Sequence, residues 1–197
     1  MTESTRGKWD RIYSQSREQA VPAMAVVREN LHLLPESGTG LELACGLAAN
    51  SFALAEAGFE MDAWDISPVA IEQLNRRAAE TGLPVKGEAR DVVDQPPARQ
   101  HYDLVVVSHF LDRSIIPAII NSLKPGGLIF YQTFTQTRVS EGGPSNMEFR
   151  LADNELLQLF KDFKVLVYRE EGRQGDTGKG FRNEAMLVAQ KPGGSGE

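Results

Sequence analysis

Apolar positions along this chain recur with two periods, and the switches between them divide it into alternating strands and helices. Residues 41–45 form a short apolar run that ends at Ala44 or Cys45, followed by a turn of small residues and a helix from near Asn50 to Gly58. Residues 60–65 alternate into a second strand, and Ser67 and Pro68 then supply a cap and a first-turn proline for a helix with Ile71, Leu74 and Ala78 on one face. A third short strand spans 84–89. The β-branched run 102–108 reads as a central strand buried on both faces. A helix over 115–123, with Pro117 in its first turn, stops at the turn 124–127, which launches a fifth strand over 128–133.

Asp153 is expected to cap a helix carrying Leu156, Leu157 and Phe160, and strands over 163–168 and 184–190 close the series. Upstream, Trp9, Ile12 and Tyr13 lie three and four apart within a short amphipathic helix, 8–14, preceded by a polar mobile segment. A second helix is expected from Ala20 to about Leu33. His32 near its end suits the helix dipole and reads as structural. The tail from residue 191 reads as disordered.

Two long polar segments interrupt this pattern. Residues 136–149 leave a strand at its carboxyl end and read as a lid, with Arg138 and Arg150 as its cations. Residues 172–183 contain GDTGKG, which misses the phosphate-loop spacing and lies between two strands, so a mobile hairpin loop is the expectation.

With 197 residues and 41% apolar content, the chain suits one α/β domain, 1–191. Its net charge of −6 argues against a nucleic-acid partner, which calls for a basic face. The single cysteine, Cys45, rules out an internal disulfide or a cysteine-based zinc site, and no metal is expected. No apolar run approaches a membrane span or a leader, so the expectation is a cytoplasmic monomer or homodimer acting on a small molecule without a membrane partner.

The candidate chemistry centres on the first turn, Glu42-x-Ala44-x-Gly46-x-Ala48. Small residues let a ligand approach the main chain, and the helix that follows offers free N–H groups. Alanine resists positive φ, so Gly46 should hold whichever position needs that freedom. Asp65 ends the second strand about 20 residues later, the spacing at which a βαβ unit presents an acid to ribose hydroxyls.

These residues carry a resemblance. LELACGLAANSFALAEAGF followed by DAWDISPVAIEQL resembles the first two motifs of class I S-adenosylmethionine-dependent methyltransferases, most closely the tellurite-resistance TehB-type branch, over roughly residues 9–191. The resemblance implies a Rossmann-like three-layer α/β sandwich with a seven-stranded, mostly parallel sheet of order 3-2-1-4-5-7-6 and an antiparallel last strand. It implies S-adenosylmethionine as cofactor and S-adenosylhomocysteine as product. WDRIY resembles the WDxxY opening of small methyltransferases and places Trp9 and Tyr13 over the cofactor. The turn contributes Glu42, Ala44, Cys45, Gly46, Ala48 and Asn50, and the second strand Asp65 and Ile66. Asp91 would accept from the adenine amino group, with Val92 and Ser108 nearby.

His109 follows the central strand at the edge where open α/β sheets bind ligands and can accept a proton near neutral pH. Arg113, Arg138, Arg150 and Arg182 are the candidate cations for an oxyanion or thiolate acceptor, Arg113 and Arg182 foremost. Arg182 matches an arginine of the tellurite branch, whereas the His-Arg pair of that branch is missing here. Two other readings stay open: a non-catalytic cofactor-binding subunit, and a nicotinamide-dependent oxidoreductase. Against the second stand the alanine at the third glycine position and the lack of a Tyr-x-x-x-Lys pair.

Overall fold

The computed structural model describes residues 3–15 and 21–193. Seven strands, β1 (Gly38–Leu43), β2 (Phe59–Asp65), β3 (Val85–Ala89), β4 (Tyr102–Ser108), β5 (Leu123–Phe134), β6 (Lys164–Arg169) and β7 (Glu184–Gln190), form one sheet. Their order is β3-β2-β1-β4-β5-β7-β6, as the resemblance implied. The first five strands pair in parallel, and β7 runs antiparallel to both β5 and β6.

Strand alternation sorts the core into two halves. Leu104 and Val106 of β4 point into one cluster with Phe52, Phe59 and Leu74. Val105 and Val107 point into the other with Leu41, Ile119 and Phe160. Helices α2 (Ala25–Arg28), α3 (Ala49–Glu56) and α4 (Pro68–Thr81) cover the first face, and α5 (Ile116–Ser122) and α6 (Glu155–Leu159) the second. Burial on both faces is what makes the β4 run continuously apolar. Helix α4 has the expected ends: Ser67 Oγ accepts from Ala70 N–H at 3.3 Å, Pro68 opens the first turn, and Gly82 closes the last at φ 69°.

Several boundaries differ from the sequence reading, each for a local reason. Helix α1 runs Glu3–Gln15, so part of the segment read as mobile is helical. The helix expected over 20–33 shrinks to the four residues of α2 and a 3-10 turn, Leu31–Leu33; Ala20 lies outside the described residues. Side chains of neighbouring elements take the backbone donors there: Met24 N–H donates to Asn50 Oδ1 at 2.7 Å and Val26 N–H to Gln132 Oε1 at 2.8 Å. Asn30 Nδ2 then donates to the Val26 carbonyl at 2.9 Å, replacing a helical N–H.

Strand β5 starts at Leu123, not 128. Tyr102 pairs with Leu123 and Leu104 with Leu128, so the Lys-Pro-Gly-Gly turn is an irregularity inside the strand. The cap of α6 is Asn154 at φ 61°, while Asp153 accepts from the Thr137 hydroxyl at 2.9 Å. Lys191, where the tail was expected to begin, donates to the Ile120 and Leu123 carbonyls, each at 2.7 Å; residues 194–197 lie outside the described residues.

Candidate functional site

The turn after β1 departs from the expectation that glycine alone would take the left-handed conformation. Ala44 (φ 51°), Gly46 (φ 53°) and Ala48 (φ 57°) all adopt it, which costs roughly 1–2 kcal/mol at each alanine. The strain is held by bonds on both sides of the turn. Cys45 N–H donates to the Trp64 carbonyl at 3.0 Å, and Gly46 N–H donates to Asp65 Oδ2 at 2.9 Å. Asp65 Oδ1 accepts from Ser67 N–H at 2.9 Å. Both oxygens of Asp65 are thus engaged, and each keeps a further lone pair with which to accept from a hydroxyl.

Beneath the turn, Glu42 accepts from Asn50 Nδ2 at 2.8 Å and from the backbone and hydroxyl of Ser51 at 2.9 and 2.6 Å. Burial pushes its carboxyl up to about 7, although the bonds from Ser51 and Asn50 pull the other way. Burial likewise raises the Asp65 carboxyl, against the bonds from Ser67 and Gly46 and with the charge of Asp10 adding to the rise. Asn50 Nδ2 also donates to Ser108 Oγ at 3.1 Å, which ties the turn to the end of β4.

Above these strand ends lies a cavity of about 720 Å³. All the candidate cofactor residues line it except Asp91, whose carboxyl accepts from Val93 N–H at 3.0 Å. Helix α1 forms the roof, with the rings of Trp9 and Tyr13 stacked at 5.8 Å. A Cβ added at Gly46 would lie 2.7 Å from the Tyr13 hydroxyl, so only glycine fits beneath that ring as it stands. Arg90 also lines the cavity, lies 4.0 Å over the Trp64 ring, and donates to the Gln95 and Pro96 carbonyls.

His109 sits at the cavity edge with its side chain 40% exposed and a left-handed φ of 51°. Its ring stacks on Phe134, and its Nε2 lies 2.9 Å from Glu184 Oε1. Burial would raise the Glu184 carboxyl, but bonds from His109 and Gln132 outweigh it and hold the group below the usual glutamate range. Glu184 escaped the sequence reading, yet it had a signal there: an antiparallel last strand returns its first residue to the sheet edge at which the parallel strands end.

The arginines lie elsewhere. Arg113 pairs with Glu155 through Nε at 2.6 Å and Nη2 at 2.8 Å and also donates to the Glu148 and Arg150 carbonyls. Arg182 donates to the carbonyls of Glu171, Gly172, Gln174, Asp176 and Lys179 and so holds the 172–183 loop around itself. Arg150 is fully buried and donates to the Thr135, Gly142 and Pro144 carbonyls, binding the segment read as a lid to the sheet. None of these three lines the cavity. Among the described residues no cluster of His, Cys, Asp and Glu is placed to hold a metal ion, and no helix is long and apolar enough to cross a membrane.

Comparison with known proteins fits this geometry. The family model for tellurite resistance protein TehB matches residues 10–184. A probable S-adenosyl-L-methionine-dependent methyltransferase TehB from Haemophilus influenzae is 29% identical over 66% of this chain and 47% of its own length. Hemagglutinin 1 of Eikenella corrodens is 28% identical over 80% of this chain and 54% of its own. The chain therefore spans about half the length of the curated relatives it matches. The crystal structure of TehB from Haemophilus influenzae superposes with a TM-score of 0.70 at 23% identity, over 93% of this chain and 67% of that one, a likeness of fold.

Proposed function

The chain belongs to the TehB family, and from that premise we propose that it is an S-adenosylmethionine-dependent methyltransferase acting on a small molecule. The observation that carries the reading is the bond from Gly46 N–H to Asp65, which joins the two βα turns into one groove under the α1 roof. A volume of about 720 Å³ lies within the range of nucleoside-sized ligands. The residues present fit that cofactor. The small-residue turn allows close approach to the main chain, and the Ala49 and Asn50 N–H groups that open α3, the Ser51 N–H being taken by Glu42, suit its carboxylate. Asp65 retains lone pairs for sugar hydroxyls, and Ile66 and Val92 offer apolar walls for a base.

When bound, S-adenosylmethionine supplies a methyl group already activated by its sulfonium. The chain's task is then alignment and exclusion of water, and positioning of this kind is worth roughly 7–11 kcal/mol. Trp9 and Tyr13 close the cavity from above, and His109 stands at the rim toward which an acceptor would come. For the acceptor we weigh a chalcogen oxyanion and a thiol. The engagement of Arg113, Arg150 and Arg182 with protein carbonyls favours the thiol.

Calorimetry with S-adenosylmethionine and S-adenosylhomocysteine tests the cofactor. Both should bind, and a folded Asp65→Ala variant should bind about 10- to 100-fold more weakly through loss of a charged hydrogen bond of about 1.5–3 kcal/mol. Failure of both to bind alongside tight NAD binding would overturn the reading, and unchanged affinity in the variant would remove Asp65 from the site.

A further inference from the structure

His109 and Glu184 meet because β7 opens where β5 ends. Phe134, the last residue of β5, pairs with Glu184 and also lies under the imidazole, with ring centroids 4.3 Å apart and planes at 20°. The His109 N–H donates to the Gln132 carbonyl at 2.9 Å, which fixes the backbone in its left-handed turn. The ring is thereby held face-on, with Nε2 at the carboxylate.

Resting on the methyl-transfer reading above, we propose that Glu184 is a positioning residue that sets His109 as a base, and that the acceptor is a neutral thiol or hydroxyl compound whose proton His109 Nδ1 removes.

The tautomer follows from a chain of bonds. Gln132 Oε1 accepts from Val26 N–H at 2.8 Å, so the other end of that amide must donate, which it does to Glu184 Oε2 at 2.6 Å. Glu184 Oε1 is a pure acceptor, so the neutral ring places its hydrogen on Nε2 and leaves the Nδ1 lone pair. Among the described residues Nδ1 has no hydrogen-bond partner.

The acceptor class follows from charge. The carboxyl groups of Glu42 and Asp65 line the cavity and Glu184 lies behind His109, while the guanidinium of Arg90 donates to the Gln95 and Pro96 carbonyls and pairs with Glu88 at 3.7 Å. Among the described residues no cation free of a carboxylate partner lines the cavity to hold an anionic acceptor, whereas a neutral one must shed a proton as it attacks. The acceptor's S–H or O–H bond breaks with its hydrogen passing to Nδ1. Its lone pair forms the bond to the methyl carbon, and the electron pair of the methyl–sulfur bond stays on the departing thioether. The imidazolium lies against Glu184 and returns its proton to water.

Glu184→Gln tests this without a change of shape. The fixed Gln132 amide must face the new carbonyl, so the new NH₂ faces the ring and selects the Nδ1–H tautomer, which cannot act as base. Nitrogen-15 NMR, with the His109 signals assigned by their loss in His109→Gln, should show Nε2–H in the wild type and Nδ1–H in Glu184→Gln. On an alkyl thiol or an alcohol, kcat should fall about 100-fold or more with KM for S-adenosylmethionine unchanged. On an aromatic thiol, already ionised at neutral pH, the loss should be several-fold at most. Wild-type Nδ1–H, or equal losses on both thiols, overturns the proposal, as does faster transfer to selenite than to any protic acceptor. The thiol and alcohol arms separate the two sources of the proton. Absence of S-adenosylhomocysteine binding would instead overturn the methyl-transfer reading on which it rests.

Discussion

Glu42 should make the stability of this fold fall as pH rises through neutrality. The carboxyl is 1% exposed, and burial lifts it from an ordinary 4.5 to about 7. In the unfolded chain it loses its proton near 4.5, whereas the native state keeps it to about 7, so between these values the native state binds more protons. The contribution of Glu42 to stability is therefore full below 4.5 and declines at up to about 1.36 kcal/mol per pH unit, reaching a plateau roughly 3 kcal/mol lower above neutrality. Glu42→Gln keeps the shape and removes the titration. Its amide NH₂ must face a donor, either Asn50 Nδ2 or the Ser51 N–H, a fixed penalty that does not change with pH. Denaturation of both proteins at pH 5, 6, 7 and 8 isolates the effect, because Asp65 and the remaining carboxyls contribute to each. Between pH 5 and 8 the stability difference should move by about 2–3 kcal/mol in favour of the variant, roughly 4–12 °C in Tm for a domain of this size. A flat difference, or one that moves the other way, refutes the argument.

Gly46→Ala should cost about 1–2 kcal/mol in a Tyr13→Phe background, from its left-handed φ alone, and more with Tyr13 intact, where the new Cβ meets the hydroxyl. Equal losses in the two backgrounds, measured by thermal melts, would show that the ring does not bear on the turn. Arg150→Lys should destabilise by about 2–4 kcal/mol, because an ammonium cannot serve the carbonyls of Thr135, Gly142 and Pro144 with the guanidinium's fork. Limited proteolysis within residues 136–146 should quicken at the same time; an unchanged cleavage rate would sink the view that Arg150 binds this segment down.

Strands were legible because their signal is local: the 102–108 run and the 184–190 run were placed to the residue. Sheet order came through the resemblance, since nothing in the alternation of β6 and β7 says which neighbours β5. Short helices were misjudged because their donors are decided by remote side chains, as Asn50 and Gln132 do at α2. The bonds that occupy the arginines were hidden for a related cause. A long loop leaves carbonyls that need donors, and a nearby guanidinium satisfies several at once, as Arg182 does; that competition with a ligand cannot be seen in a linear string. The groove itself was readable from Gly46 and Asp65 because the spacing of a βαβ unit fixes where its two turns meet.

What the string hid at the cradle was cost. Ala44 and Ala48 each carry roughly 1–2 kcal/mol of left-handed strain, and keeping Glu42 buried and ionised above neutrality costs about 3 kcal/mol more. That sum is comparable with the whole net stability of a domain, about 5–15 kcal/mol. A segment chosen for stability would carry glycines at 44 and 48 and an apolar residue at 42. This one persists because Cys45, Gly46, Asn50 and Ser51 are each bonded to a neighbouring element or to Glu42, so that no member relaxes without breaking the others. Strain maintained against stability in the wall of a cavity, where the turn's own bonds fix its shape in advance, is the cost expected of a preorganised site.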